Sequence, residues 1–229
     1  MRRIVTLVLA FAAAAPAFAG EPLATDDASV LPQGACQVES WIRYDRDLRF
    51  FAVVPACSPV DGLELSAGAA AYDSKSEGRH AYLVLQAKPM LYRDPDERWA
   101  LAASFGALRD TGRPSGRTGF QDAGATLIAS WFASDTLRVH GNGGIVYSHD
   151  AFTTGTWGAA VEWDVDDRWT ALADTFRDAP GRPKFLGGFC YTVTADRLEL
   201  FAAAGDRFQG TSDTWFVKAG LRLQFDVGR

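Results

Sequence analysis

Close to its C-terminus the chain reads "WFVKAGLRLQFDVGR", where Leu221, Leu223 and Phe225 alternate with Arg222 and Gln224. Side chains of a strand point to opposite faces in turn, so this alternation makes one apolar face and one polar face; on a helix it makes neither. The pattern recurs throughout. Trp99, Leu101, Ala103, Phe105 and Ala107 oppose Ala100, Ala102, Ser104 and Gly106. Leu83, Leu85, Ala87, Pro89 and Leu91 oppose Tyr82, Gln86 and Lys88, and Trp157, Val161 and Trp163 oppose Glu162 and Asp164. Charged residues therefore sit in mid-strand, repeatedly, on one face only.

The connections narrow the choice of architecture. Short acidic turns stand at 58–62, 94–97, 133–136, 165–168 and 194–197, and longer polar loops at 73–78, 109–119, 148–155, 177–183 and 206–213. A soluble β-sandwich is one way to use such strands. Short turns on one side and long loops on the other describe an all-β, transmembrane, antiparallel up-and-down β-barrel. The spacing predicts about twelve strands, near 35–44, 48–57, 63–73, 80–92, 98–108, 120–132, 137–147, 154–165, 169–177, 184–194, 198–205 and 214–225. Hydrocarbon cannot satisfy an open sheet edge, so such a sheet closes on itself, with apolar residues toward lipid and polar residues toward the lumen. Trp99 and Trp169 follow short turns, and Trp131 and Trp163 precede them. Either they form an interfacial girdle or they are core tryptophans at strand ends.

The first 20 residues, "MRRIVTLVLAFAAAAPAFAG", read as a secretory signal peptide cut after Ala19. That leaves a leader at 20–34, read as either a disordered segment or a periplasmic plug, and a barrel domain at 35–229. No later apolar run approaches the ~20 residues of a membrane helix, a test blind to barrels. The net charge of −5 without a basic cluster argues against nucleic acid as a partner.

Alternation directs a set of polar side chains inward. From the first four strands these are Glu39, Arg43, Glu64, Tyr82, Gln86 and Lys88. Asp122, Arg138, His140, Glu162, Asp164 and Asp174 follow, then Glu199, Lys218 and Arg222. Such groups either line a polar passage or knit a sealed interior of ion pairs, since buried charges need partners. Asp26 and Asp27 of the leader are candidates to meet a lumen Lys or Arg. Three cysteines suit an oxidising compartment; Cys36 and Cys57 come opposite each other if the first hairpin turns near Asp45–Asp47, which predicts a disulfide and leaves Cys190 over. His140 is a lone lumen histidine without a metal-ligand cluster, so neither metal nor cofactor is expected. "SHD" at Ser148, His149 and Asp150 suggests a hydrolytic relay, but three consecutive residues do not converge as a relay requires.

Two stretches resemble known families. "KAGLRLQF", with Lys218, Gly220, Leu223 and Phe225, resembles the C-terminal signal read by the outer-membrane barrel assembly machinery, although "DVGR" follows the aromatic that usually ends that signal. "EPLATDDASVLPQGACQVE" resembles the start of the phenol meta-pathway degradation-like outer-membrane transporters in Pro22, Leu23, Thr25, Asp26, Asp27 and Ala28, then Pro32, Gly34 and Glu39. The resemblance implies an outer-membrane barrel, in contact with lipid, acting as a channel or transporter for small hydrophobic or aromatic solutes. It supplies no catalytic residues. The competing readings are a structural barrel with a sealed, ion-paired interior and a lipid hydrolase at the rim.

Overall fold

Each alternating segment becomes a strand of one closed sheet. The computed structural model describes residues 23–75, 78–111, 122–148, 151–178, 182–195, 197–209 and 214–227. Its strands are β1 (Ala35–Asp45), β2 (Leu48–Val60), β3 (Leu63–Ser74), β4 (Gly78–Arg93), β5 (Trp99–Asp110) and β6 (Asp122–Ser134). They continue as β7 (Leu137–Ser148), β8 (Ala151–Asp164), β9 (Trp169–Arg177), β10 (Lys184–Thr194), β11 (Leu198–Arg207) and β12 (Phe216–Asp226). Every strand pairs antiparallel with its chain neighbours, and β1 pairs with β12 to close the barrel. Closure leaves no edge with unpaired backbone groups.

The two faces separate as alternation requires. Ile42, Phe51, Phe105, Leu127 and Phe189 point outward and are 47–56% exposed. Large apolar side chains of this kind surround the cylinder, far beyond the scattered patches of a soluble surface, and lipid is the solvent that fits them. At the short-turn end Trp99 and Trp131 face each other across β5 and β6, with rings stacked at 5.7 Å. Trp163 and Trp169 are also exposed at that end, and Tyr44 meets Trp215 at 6.3 Å at the long-loop end.

The short turns are built locally. Gly62 takes φ +72°, a left-handed conformation that glycine adopts without strain, while the Ser58 hydroxyl donates to the Val60 and Leu63 carbonyls at 2.9 and 3.0 Å. Register shifts at Cys57/Val60, Met90/Tyr92, Phe132/Ser134 and Thr192/Thr194 lie at the strand ends beside these turns, where bulges end pairing at a barrel rim.

The loops are less cleanly sorted than the sequence suggests. The 148–155 loop is a correction: β7 runs to Ser148 and β8 starts at Ala151, so ladder pairing takes most of it. The 73–78 loop is likewise shortened by β3 and β4, and β1 turns into β2 through Arg46 and Asp47 alone. Thr153, Thr154 and Thr156 explain the extension of β8, because β-branched residues suit a strand as well as a polar loop.

Candidate functional site

The interior is built around residues 23–34, an irregular segment that runs from the short-turn rim into the lumen. It is anchored where Gly34 donates to the Ser58 carbonyl at 2.8 Å and accepts from Val227 at 3.0 Å. Deeper in, backbone donors without a strand partner are satisfied by wall side chains, as buried N–H groups require. Leu31 N–H donates to Glu64 at 3.2 Å and Ala28 N–H to the Ser130 hydroxyl at 2.7 Å. Ala24 and Thr25 N–H both donate to Asp174 Oδ2, at 2.7 and 2.9 Å, and the Thr25 hydroxyl donates to Oδ1 at 2.6 Å. Lys88 Nζ donates to Asp26 Oδ1 at 2.9 Å. With its amide turned to satisfy both partners, Asn142 accepts from Asp26 N–H at 2.6 Å and donates to the Asp26 carbonyl at 2.9 Å. Gly158 leaves the room Thr25 needs: a Cβ there would lie 2.1 Å from the Thr25 hydroxyl. Burial alone pushes the Asp27 carboxyl up, but Lys88, then His140 and Arg222, outweigh it and bring it down to about 2.

The strand walls carry two further networks. Register places Glu39 opposite Arg222, and Arg43 opposite Lys218, across the closing seam. Arg222 donates to Glu39 at 2.9 Å and to Glu199 at 3.1 Å. Arg138 donates to Glu162 and Asp164, each at 2.8 Å, and Thr170 donates to Asp164 at 2.7 Å. Gln86 donates to Ser104 at 2.6 Å. Tyr82 belongs to an outer group, stacked at 5.5 Å on Tyr72, which stacks on His80 at 4.8 Å; His80 meets Asp110 at 2.9 Å. Asp122 stands at the long-loop end of β6, opposite Ser148.

Ser130, His140 and Glu162 come together in an order that resembles a hydrolytic relay. The Ser130 hydroxyl lies 2.8 Å from His140 Nδ1, and His140 Nε2 lies 3.8 Å from Glu162. Ser130 is fully buried, however, and its oxygen already takes the Ala28 N–H. A nucleophile needs an approach path, and in this arrangement Ser130 instead holds the leader through Ala28, with His140 behind it. Of "SHD", Ser148 ends β7, while His149 and Asp150 lie outside the described residues. Among the described residues no group of three or more His, Cys, Asp or Glu is placed to hold a metal.

Cys36 and Cys57 stand opposite each other in β1 and β2 and are joined by a disulfide; Cys190 is free and buried. Leu223 and Phe225 face outward, 42% and 45% exposed, whereas Lys218 is buried in the lumen. Gly220 permits close packing, since a Cβ there would lie 2.3 Å from the Ser40 carbonyl.

The leader leaves space on both sides. On the short-turn side a chamber of about 180 Å³ is lined by Asp26, Asp27, Glu39, Glu64, Lys88 and Arg222, among others. On the long-loop side a chamber of about 210 Å³ has Arg43, Arg177, Lys218 and Asp178 on a mostly apolar wall. That apolar wall lies outside the polar set that alternation directs inward. Trp41, Phe176 and Phe216 point inward and are 6%, 4% and 2% exposed. Trp41 shares its parity with Glu39 and Arg43, Phe176 with Asp174, and Phe216 with Lys218, so the signal was present.

A closed antiparallel barrel of twelve strands, apolar outside and ionisable inside, belongs to the class of bacterial outer-membrane β-barrels. Residues 7–225 match the model of the family described as Uncharacterised conserved protein UCP029691, and the chain belongs to that family. No curated protein matches it. Among solved structures it is similar to the KdgM porin, at 8% identity and a TM-score of 0.64 over 82% of this chain and 99% of that one. The NanC porin aligns at 10% identity and a TM-score of 0.61, over 82% and 98% of the two chains. The COG4313 outer membrane channel from Pseudomonas putida F1 aligns at 14% identity and a TM-score of 0.57, over 87% and 98%. At these identities the likeness is one of fold.

Proposed function

We propose that the protein is an outer-membrane channel for small solutes whose constriction is its own leader. The observation that carries this reading is the partition of the lumen: residues 23–31 cross it, held by wall side chains, and space remains on either side. A barrel of twelve strands is narrower than the 16–18-stranded porins, so a small, selective passage follows rather than a general pore. The resemblance of the leader to the phenol meta-pathway degradation-like transporters makes hydrophobic or aromatic compounds the solute class. The KdgM porin, similar in fold, has been determined in complex with disordered oligogalacturonate. The second reading, a structural barrel with a sealed interior, draws on the ion pairs of Arg222 and Arg138.

Single-channel recording in planar bilayers separates the two. A channel gives small, intermittent conductance in the full chain, and a larger, steady one when residues 23–31 are deleted. A full chain that stays silent at all voltages supports the structural barrel. Conductance comparable to a general porin's in the full chain removes the leader from its role as constriction.

A further inference from the structure

We infer that the chamber on the long-loop side of the leader is a binding site for a small carboxylate with an apolar ring. It rests on the proposed channel only for how the ligand arrives. The chamber measures about 210 Å³. A dry cavity of about 150 Å³ accommodates benzene, so this one fits a single ring with one small substituent. Its wall supplies Trp41, Phe50, Phe176, Leu186 and Phe216, the apolar body of a ligand site, with a few polar groups to fix orientation.

Those polar groups are mainly cationic. Arg43, Arg177 and Lys218 line the chamber against one carboxylate, Asp178, whose two oxygens are already taken by Lys184 at 2.8 and 2.9 Å. The Arg43 guanidinium stacks over Phe216 at 4.4 Å, which holds its plane, and makes one long contact to Asp45 at 3.4 Å. Arg43 and Arg177 each keep a buried Nε–H without a hydrogen-bond partner. Buried polar groups are normally paired, and two guanidinium groups that line a cavity with so few partners of their own suit an anion. The chamber across the leader has the opposite bias: Asp26, Asp27, Glu39 and Glu64 against Lys88 and Arg222. An anion is therefore favoured on one side of the leader and opposed on the other.

Titration calorimetry on the full-length barrel in detergent tests the site. Benzoate and cyclohexanecarboxylate should bind, and benzyl alcohol, which lacks the charge, and acetate, which lacks the ring, at least about tenfold more weakly. Arg177→Gln should weaken benzoate by a similar factor. Arg43→Lys, which keeps the charge but not the planar stack on Phe216, should weaken it less. Absence of benzoate binding to the wild type, or equal binding of benzyl alcohol or acetate, overturns the assignment. Planar-bilayer silence with benzoate binding intact removes the channel and leaves the site. Conduction without benzoate binding removes the site alone.

Discussion

Asp174 grips Thr25 with both carboxylate oxygens, one on the hydroxyl at 2.6 Å and the other on the backbone N–H at 2.9 Å. The two residues are 149 apart in the chain, yet this contact fixes the inner end of a segment that has no strand to pair with. Hydrogen bonds to a charged acceptor contribute about 1.5–3 kcal/mol each, so Asp174→Ala should free the leader tip while the ladder of β9 stays intact. Hydrogen–deuterium exchange by mass spectrometry should show leader peptides exchanging at least about tenfold faster than in the wild type. Unchanged protection means that other contacts hold the segment.

Gly158→Ala tests the same docking by shape rather than charge. The added methyl collides with the Thr25 hydroxyl, and overpacking of this kind costs about 1–3 kcal/mol. The expected outcome is a leader displaced from a barrel of unchanged thermal stability, seen as longer open times in planar bilayers. Open times equal to those of the wild type count against the leader as constriction.

Arg222 and Glu39 give a prediction about stability. Breaking a buried pair by removing one partner costs about 3–5 kcal/mol, while removing both strands only the more exposed Glu199. The Glu199 leg adds less, because that side chain is 36% exposed. Arg222→Leu should lower the urea midpoint of the barrel in micelles, and Arg222→Leu with Glu39→Leu should recover part of the loss. A double variant no more stable than the single one would show that the pair does not act as a unit.

Asp27 sets a pH window. Its carboxyl lies at about 2 in the folded protein against an ordinary 3.8, so its contribution to leader docking is fully present above about pH 4. The contribution is lost as pH falls through 2. Leader protection should hold at pH 5 and decline between pH 4 and 2, and Asp27→Asn should flatten that decline. A midpoint above pH 5 points to a different group.

Phe225→Asp addresses assembly. Phe225 faces outward on β12, and an acidic residue on a lipid-facing strand costs less than the ~2–4 kcal/mol of Arg or Lys at the midplane. Loss of heat-modifiable barrel from the membrane fraction, with no change in the stability of barrel refolded in micelles, would mark a recognition defect. Equal losses in both would mark simple destabilisation.

The strands, their closure and the inward parity of Glu39, Arg138 and Arg222 were legible because a period of two survives in the sequence whatever the tertiary partners are. The leader's docking was legible only as a possibility of acid meeting base. Nothing in "TDD" points to Asp174, Ser130 or Asn142, since partners so distant are chosen by barrel curvature and register, which alternation does not encode. Trp41, Phe176 and Phe216 have the inward parity, but a polar lumen does not select apolar residues, so the same alternation leaves them unmarked. At 148–155, threonines that suit a loop proved equally suited to extending β8.

The sign of the fixed charge reverses where the leader crosses the barrel. Three cations and one carboxylate line the chamber on the long-loop side, and four carboxylates and two cations line the chamber on the other. Electrically this is a junction between two oppositely doped regions. Mobile ions pile up at such a boundary under one polarity of applied voltage and are depleted from it under the other. A conducting barrel with this arrangement rectifies without moving any part: its two mouths are inequivalent to every ion, and the leader marks the plane where the inequivalence is set.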